Sequence, residues 1–245
     1  MDQYWRPTTV TPVSSAGRVD GELRARLAAV DPRTRDTLLF DWDGTLCDTR
    51  AGIMATARTA LLRWGMAESD LGDLSRLTGP TFPYAFSEVY GVSEQEAREI
   101  SDIYHGIYDE LGPEARPLFP GARELLVSLS EAGKTLVVAS SKRQHKLDAM
   151  VDEAGLRELF VLVVGAIHPE RVNKQQVIGH VLQELSVRAD DCVMIGDRFY
   201  DVEGAASVGV PCVGADFGTS QPGELAAAGA CAVASDAAEL ARILL

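Results

Sequence analysis

The sequence predicts an α/β fold, a mostly parallel sheet covered on both faces, with a small all-helical module inserted into it. Short apolar runs alternate with amphipathic segments, the pattern of strands buried on both sides. Polar residues gather where those runs end. Between Arg50 and Pro113 nothing reads as a strand, so the alternation is interrupted there. With 245 residues the chain can bury one substantial core, or a core plus a smaller domain.

The chain opens with a stretch rich in Pro, Thr, Ser and Arg, and its first twenty residues predict a disordered or loosely draped segment. Asp20–Val30 spaces Leu23, Leu27 and Val30 as one face of a short helix, expected to cover the core or to make an oligomer contact. Thr37–Phe40 is the first strand. It runs into Asp41, Asp43, Gly44 and Asp48, and side-chain alternation lets Asp41 and Asp43 face the same way. Two carboxylates at the mouth of a sheet stabilise nothing by themselves; a cation or a reaction would use them, and a solvated acidic turn explains the segment equally well.

Helical spacing follows over Ala51–Trp64, with shorter helices expected at Leu71–Leu77 and Phe82–Val89 and a break at Gly79-Pro80. Ser93 and Glu96 form a capping-box signature for a helix through about Tyr108. Then the alternation resumes: helix Ala122–Ser130, strand Thr135–Ala139, helix Gln144–Ala154, strand Phe160–Val164, and a helix near Lys174–Leu185. Strand Cys192–Ile195, a helix from about Asp201 to Val208, strand Pro211–Gly214, a turn or two at Gly223–Ala228, strand Ala230–Ala234 and helix Ala237–Leu244 complete it. The expected organisation is an extension (1–36), a core (37–49 and 114–245) and a cap (50–113).

Composition narrows the function. A net charge of -13 and a pI near 4.7 argue against nucleic-acid polymers and anionic membranes as partners. No stretch approaches the roughly 18 apolar residues of a transmembrane helix, and the N-terminus lacks the features of a signal peptide. Cys47, Cys192, Cys212 and Cys231 show no CxxC spacing and read as small buried hydrophobes in a reducing compartment, so the cytoplasm is the expected location. His105, His145, His168 and His180 have no zinc-like spacing.

Four polar groups sit at strand-to-helix junctions: Asp41/Asp43, Ser140/Ser141, Lys174 and Asp197/Asp201. Open parallel sheets bind ligands beyond the carboxyl ends of their strands. If these ends converge, the carboxylates call for a divalent cation, and oxygen ligands favour Mg2+. Ser140 and Lys174 then suit a phosphoryl group.

The sequence resembles a haloacid-dehalogenase-superfamily phosphohydrolase of the helical-cap branch that holds phosphoglycolate phosphatases, pyrophosphatase-like members and nucleotide 5'-monophosphatases. Asp41-Trp42-Asp43-Gly44-Thr45-Leu46 with Asp48, Val137–Lys142, Lys174, and Gly196-Asp197-Arg198 with Asp201 match its four motifs in order, and the likeness runs from about Thr37 to Leu244. The resemblance implies a Rossmann-like core, with Asp41 as nucleophile and Asp43 as acid and base. It implies Mg2+ on Asp41, the Asp43 carbonyl and Asp197, supported by Asp201, and phosphoryl contacts from Ser140, Ser141 and Lys174.

Thr45, Arg198 and Phe82 are further candidates for substrate or supporting contacts, against the plainer readings of turn capping, salt bridging and cap packing. Lys142 and Arg143 are expected at the surface. Trp42 replaces a smaller apolar residue and is expected to reshape the pocket edge. Few cations lie in Leu77–Phe86, which favours a nucleotide or sugar phosphate over phosphoglycolate or pyrophosphate. A phosphosugar mutase and a non-catalytic binding protein are the alternatives. The expected partner is a small phosphorylated metabolite, and the chain is expected to be a monomer or homodimer.

Overall fold

A computed structural model of the chain describes residues 20–78, 82–167 and 170–245. The first nineteen residues, the Gly79-Pro80 break, Thr81 and His168 lie outside them. Six parallel strands form one sheet: β1 (Thr37–Phe40), β2 (Thr135–Arg143), β3 (Leu162–Ala166), β4 (Cys192–Gly196), β5 (Cys212–Ala215) and β6 (Ala232–Ala234). Their spatial order is β3-β2-β1-β4-β5-β6. The chain thus builds outward from β1 on one side, returns to β4, and builds outward on the other.

Both faces are covered. Helices α5 (Ala122–Glu131), α6 (Gln144–Glu153) and α10 (Ala237–Leu244) pack Leu126, Leu129, Leu147, Val151 and Leu240 against Leu38, Phe40, Val138 and Ile195. Helices α7 (Lys174–Glu184), α8 (Phe199–Ala206) and α9 (Glu224–Ala228) pack Val177, Ile178, Val181, Val202 and Leu225 against Leu39, Val137 and Met194. Successive residues of β1 therefore serve opposite layers, which is why it reads as an unbroken apolar run.

Helix α1 (Gly21–Ala28) buries Leu27 and lies against α8, and Arg24 donates to the Ala228 carbonyl at 2.9 Å. It covers the helical layer, as the core-covering expectation required. Lys134 reaches back to the carbonyls of Arg33 (2.9 Å) and Arg35 (2.7 Å), holding the approach to β1 beside β2.

The helical block contains α2 (Arg50–Trp64), α3 (Tyr84–Tyr90) and α4 (Glu94–Tyr108) around their own core of Ala57, Leu61, Leu77, Phe86, Ile100 and Tyr104. The Ser93–Glu96 capping box is formed: Glu96 N–H donates to Ser93 Oγ, and Ser93 N–H donates to Glu96 Oε2 at 2.7 Å. The expected helix at Leu71–Leu77 is shorter, a 3-10 turn over Leu74–Leu77, because Asp73 Oδ1 accepts from the Ser75 amide and starts the turn there. Among the described residues no helix is long and apolar enough to cross a membrane.

Strand β2 runs four residues past its expected end at Ala139, through a register shift against β3. Trp42 also departs from expectation: it is buried in the same layer as Leu38 and Phe40, and with Cys47, Arg116 and Met150 it lines a cavity of about 100 Å³ at the cap linker. Alternation along the strand sends it to the core and away from the pocket edge.

Truncating Ile100 to Ala should cost about 2–5 kcal/mol. If the helical block opens as its own unit, hydrogen exchange will quicken from Arg50 to Leu111 and stay unchanged in the sheet; exchange rising equally in both would make the two one cooperative body.

Candidate active site

The neighbouring ends of β1 and β4 define the site. Phe40 pairs with Ile195, and the Asp41 amide donates to the Ile195 carbonyl at 2.9 Å, so Asp41 and Asp197 leave the sheet side by side. This is the switch point, where the chain's outward progress reverses, and where an open parallel sheet has its crevice. Helix α8 begins just beyond β4, and its third residue, Asp201, accepts from the Arg198 amide at 3.1 Å. Carboxylate oxygens of Asp41, Asp197 and Asp201 all lie within 4.8 Å of one another.

Lys174 is the first residue of α7, set there by Asn173, whose side chain accepts from the Gln176 amide at 2.9 Å. Its Nζ stands 3.0 Å from Asp41 Oδ1 and 2.8 Å from Asp201 Oδ1, and donates to the Ala139 carbonyl at 3.0 Å. Burial pulls the ammonium's pKa down, but the Asp201 and Asp41 carboxylates outweigh it and hold Lys174 protonated.

Asp197 is anchored differently. Its Oδ2 accepts from both the amide and the hydroxyl of Thr219, each at 2.7 Å. Burial, then the charges of Asp201 and Asp41, push its carboxyl up to about 7, against the Thr219 bonds. Burial likewise raises Asp201 to about 6, although Lys174 opposes it. One ammonium does not neutralise three clustered carboxylates. The donors are hard oxygens, which fits a divalent cation of the magnesium or calcium type.

Two glycines make the crowding possible. A Cβ on Gly44, which has a φ of 76°, would fall 2.1 Å from Asp197 Oδ2. One on Gly218 would fall 2.2 Å from the Gly44 carbonyl and 2.4 Å from Asp197 Cβ. Gly218 also accepts from Arg50, at the start of the cap.

The carboxylate of Asp43 stands apart from the cluster. Its Oδ2 pairs with Lys142 Nζ at 2.9 Å, while its Oδ1 is buried with no hydrogen-bond partner among the described residues. Lys142 is therefore not a surface residue as expected; its side chain is about 13% exposed, with Nζ 5.4 Å from the Tyr108 ring centroid. Arg143 is exposed, as expected.

Ser140 is buried, and its Oγ accepts from the Lys142 amide at 3.3 Å, whereas Ser141, one residue out of phase on the strand, is exposed. Thr45 is buried with an unpartnered hydroxyl, so it does not cap the turn. Arg198 takes the salt-bridging reading, with Nε 2.8 Å from Glu224, and its Nη1 donates to the Thr78 carbonyl of the cap at 3.3 Å. Phe82 takes the packing reading: its ring stacks on Phe86 at 4.7 Å and meets Tyr104 at 4.4 Å.

A model of the family described as Haloacid dehalogenase-like hydrolase matches residues 38–215. The chain belongs to that family. It is similar to a 5'-nucleotidase of Pseudomonas aeruginosa, 34% identical over 84% of this chain and 94% of that protein. The tyrosine-protein kinase PtkA of Mycobacterium tuberculosis is 33% identical over 79% of this chain and 66% of that protein. Among solved structures, a predicted phosphatase from Clostridium acetobutylicum superposes with a TM-score of 0.77 at 32% identity, over 85% of this chain and 97% of that one. The haloacid dehalogenase-like catalytic motif is thus present together with an aspartate cluster able to hold a divalent metal.

The raised carboxyls set a sign for stability. Between about pH 4 and 7 the folded protein keeps a proton on Asp197 that the unfolded chain has released, so stability falls as pH rises through that window. Asp201 acts in the same direction up to about pH 6. A bound cation takes the proton's place, so the gain in Tm from added magnesium should be larger near pH 8 than near pH 5. Scanning calorimetry with metal and with chelator measures it; equal gains at both pH values would remove this cluster as the binding site.

Proposed function

We propose that the chain is a Mg2+-dependent phosphomonoesterase that cleaves a small phosphorylated metabolite, a nucleoside 5'-monophosphate or sugar phosphate, through an aspartyl-phosphate. The observation that carries it is the convergence of Asp41, Lys174, Asp197 and Asp201 at one switch point. The carboxylates of Asp41, Asp197 and Asp201 and the carbonyl of Asp43 would hold the ion. When bound, Mg2+ offsets the negative charge of the phosphoryl group and orients it.

Asp41 attacks phosphorus, forming an Oδ–P bond as the bond to the leaving oxygen breaks. Asp43 gives that oxygen a proton, then takes one from the water that attacks the aspartyl-phosphate, releasing phosphate and restoring Asp41. Lys174, Ser140 and the free hydroxyl of Thr45 supply donors for the phosphoryl oxygens. Lys174 already spans the nucleophile and α8, so it restrains Asp41 before substrate arrives.

The nucleotide or sugar preference draws support from the 5'-nucleotidase likeness. Transfer to a protein tyrosine, the second reading, is favoured only by the likeness to PtkA.

Phosphate release should be measured over nucleotide, sugar, glycolate and pyrophosphate substrates, with magnesium and with excess chelator. One preferred ester, lost on chelation, is the expected result. Silence across the panel, with phosphotyrosine formed from ATP on a peptide, would replace the hydrolase by the kinase. Asp41→Asn should reduce release to background, and Asp43→Asn should lower kcat by about 10²–10⁴ on an alkyl ester. Wild-type turnover in Asp41→Asn would sink the mechanism.

A further inference from the structure

Resting on the phosphatase reading, we infer that Lys142 is a positioning residue for Asp43, and that Tyr108 of the cap holds it in place. Lys142 occupies Oδ2 of Asp43 at 2.9 Å, which leaves the buried, unpartnered Oδ1 as the oxygen that faces the leaving group.

The backbone puts Lys142 there. Between Ala139 and Arg143 the register of β2 against β3 shifts, and within that segment alternation places Ser140 and Lys142 on one side and Ser141 on the other. The shift needs Gly165 of β3, where a Cβ would fall 2.7 Å from both the Lys142 carbonyl and Gln144 Cα. Gln144 locks the same junction: its Oε1 accepts from the Gly165 amide at 2.7 Å, and its Nε2 donates to the Val163 carbonyl at 3.0 Å.

The cap supplies the other wall. Tyr108 closes α4, is about 5% exposed, and turns its ring toward both Lys142 Nζ (5.4 Å) and the Arg116 guanidinium (5.5 Å). An ammonium between a carboxylate and an aromatic face is attracted from both sides. A four-carbon stem that is otherwise free to sample rotamers is thereby held. The bond to Oδ2 also stops the Asp43 carboxyl from rotating, which keeps Oδ1 aligned. As the Asp41–phosphorus bond forms, the electron pair of the breaking P–O bond goes to the leaving oxygen, and the proton reaches it from Oδ1. Because Tyr108 lies on the cap, Lys142 has its cover only while α4 touches the core.

An alkoxide leaving group needs that proton, whereas p-nitrophenolate leaves without it. Lys142→Met, Lys142→Arg and Tyr108→Ala should therefore be compared on the best alkyl ester of the panel and on p-nitrophenyl phosphate, in the full chain with magnesium. Lys142→Met should lower kcat on the alkyl ester by about tenfold or more, with a much smaller loss on p-nitrophenyl phosphate and little change in KM. Lys142→Arg should recover part of the difference, and Tyr108→Ala should show the same split more weakly. Equal losses on the two esters, or no loss, would overturn the inference while leaving the phosphatase reading intact. If Lys142→Met does not fold, Tyr108→Ala carries the same comparison. A wild-type protein silent on every ester overturns both readings, and one active on p-nitrophenyl phosphate alone leaves Asp43 no proton transfer to be positioned for.

Discussion

Among the described residues, Lys174 is the only cation in direct contact with the carboxylate cluster, and the arrangement around it depends on how its three donors are spent. One goes to Asp41, one to Asp201, and one to the Ala139 carbonyl at the strand next to β1. Losing one partner of a buried ion pair commonly costs about 3–5 kcal/mol, because the remaining charge is stranded. Lys174 thus ties α7, β1, β2 and α8 together at the one edge where like charges would otherwise push them apart. Asp197 falls outside its reach and depends on Thr219. The parallel order of the strands makes the crowding unavoidable, since β1 and β4 are neighbours and both end in aspartates.

Much of this was legible in the sequence because strands and helices here differ plainly in period. The strands were placed, and the convergence of Asp41, Lys174, Asp197 and Asp201 followed from their common position at strand ends and helix starts. The misreadings have local causes. Taking Trp42 as part of the pocket edge ignored alternation at a residue just past a strand. Lys142 could not be read, because its direction is set by a register shift that a glycine in another strand permits. Thr219 carried one faint signal, a glycine and a hydroxyl residue just after the β5 strand. Nothing in the chain's order tied that loop to Asp197.

Among the described residues, polar contacts join the helical block to the core through Arg50 and the Gly218 carbonyl and at two further places. The end of α4 meets the β2–α6 junction, with Lys142 against Tyr108 and Lys146 2.6 Å from Asp109. The turn ending at Thr78 meets Arg198 at the start of α8. Each side keeps its own apolar core. Half-exposed pairs such as Lys146–Asp109 are worth about 0–1 kcal/mol, so the two bodies can part without unpacking either core. Arg198 is the more consequential link, since its backbone amide holds Asp201 while its side chain reaches the cap.

Gly218 carries a consequence for anyone who would diversify this protein. Loops that follow the strands of such sheets are the usual ground for changing substrate preference, because they seldom carry the core. Here the loop after β5 offers no such freedom at its centre: a single added methyl group at 218 would strike both the Gly44 carbonyl and the side chain of Asp197. A library that randomises this loop would lose its working members at that position first, leaving the cap as the open ground for new specificities.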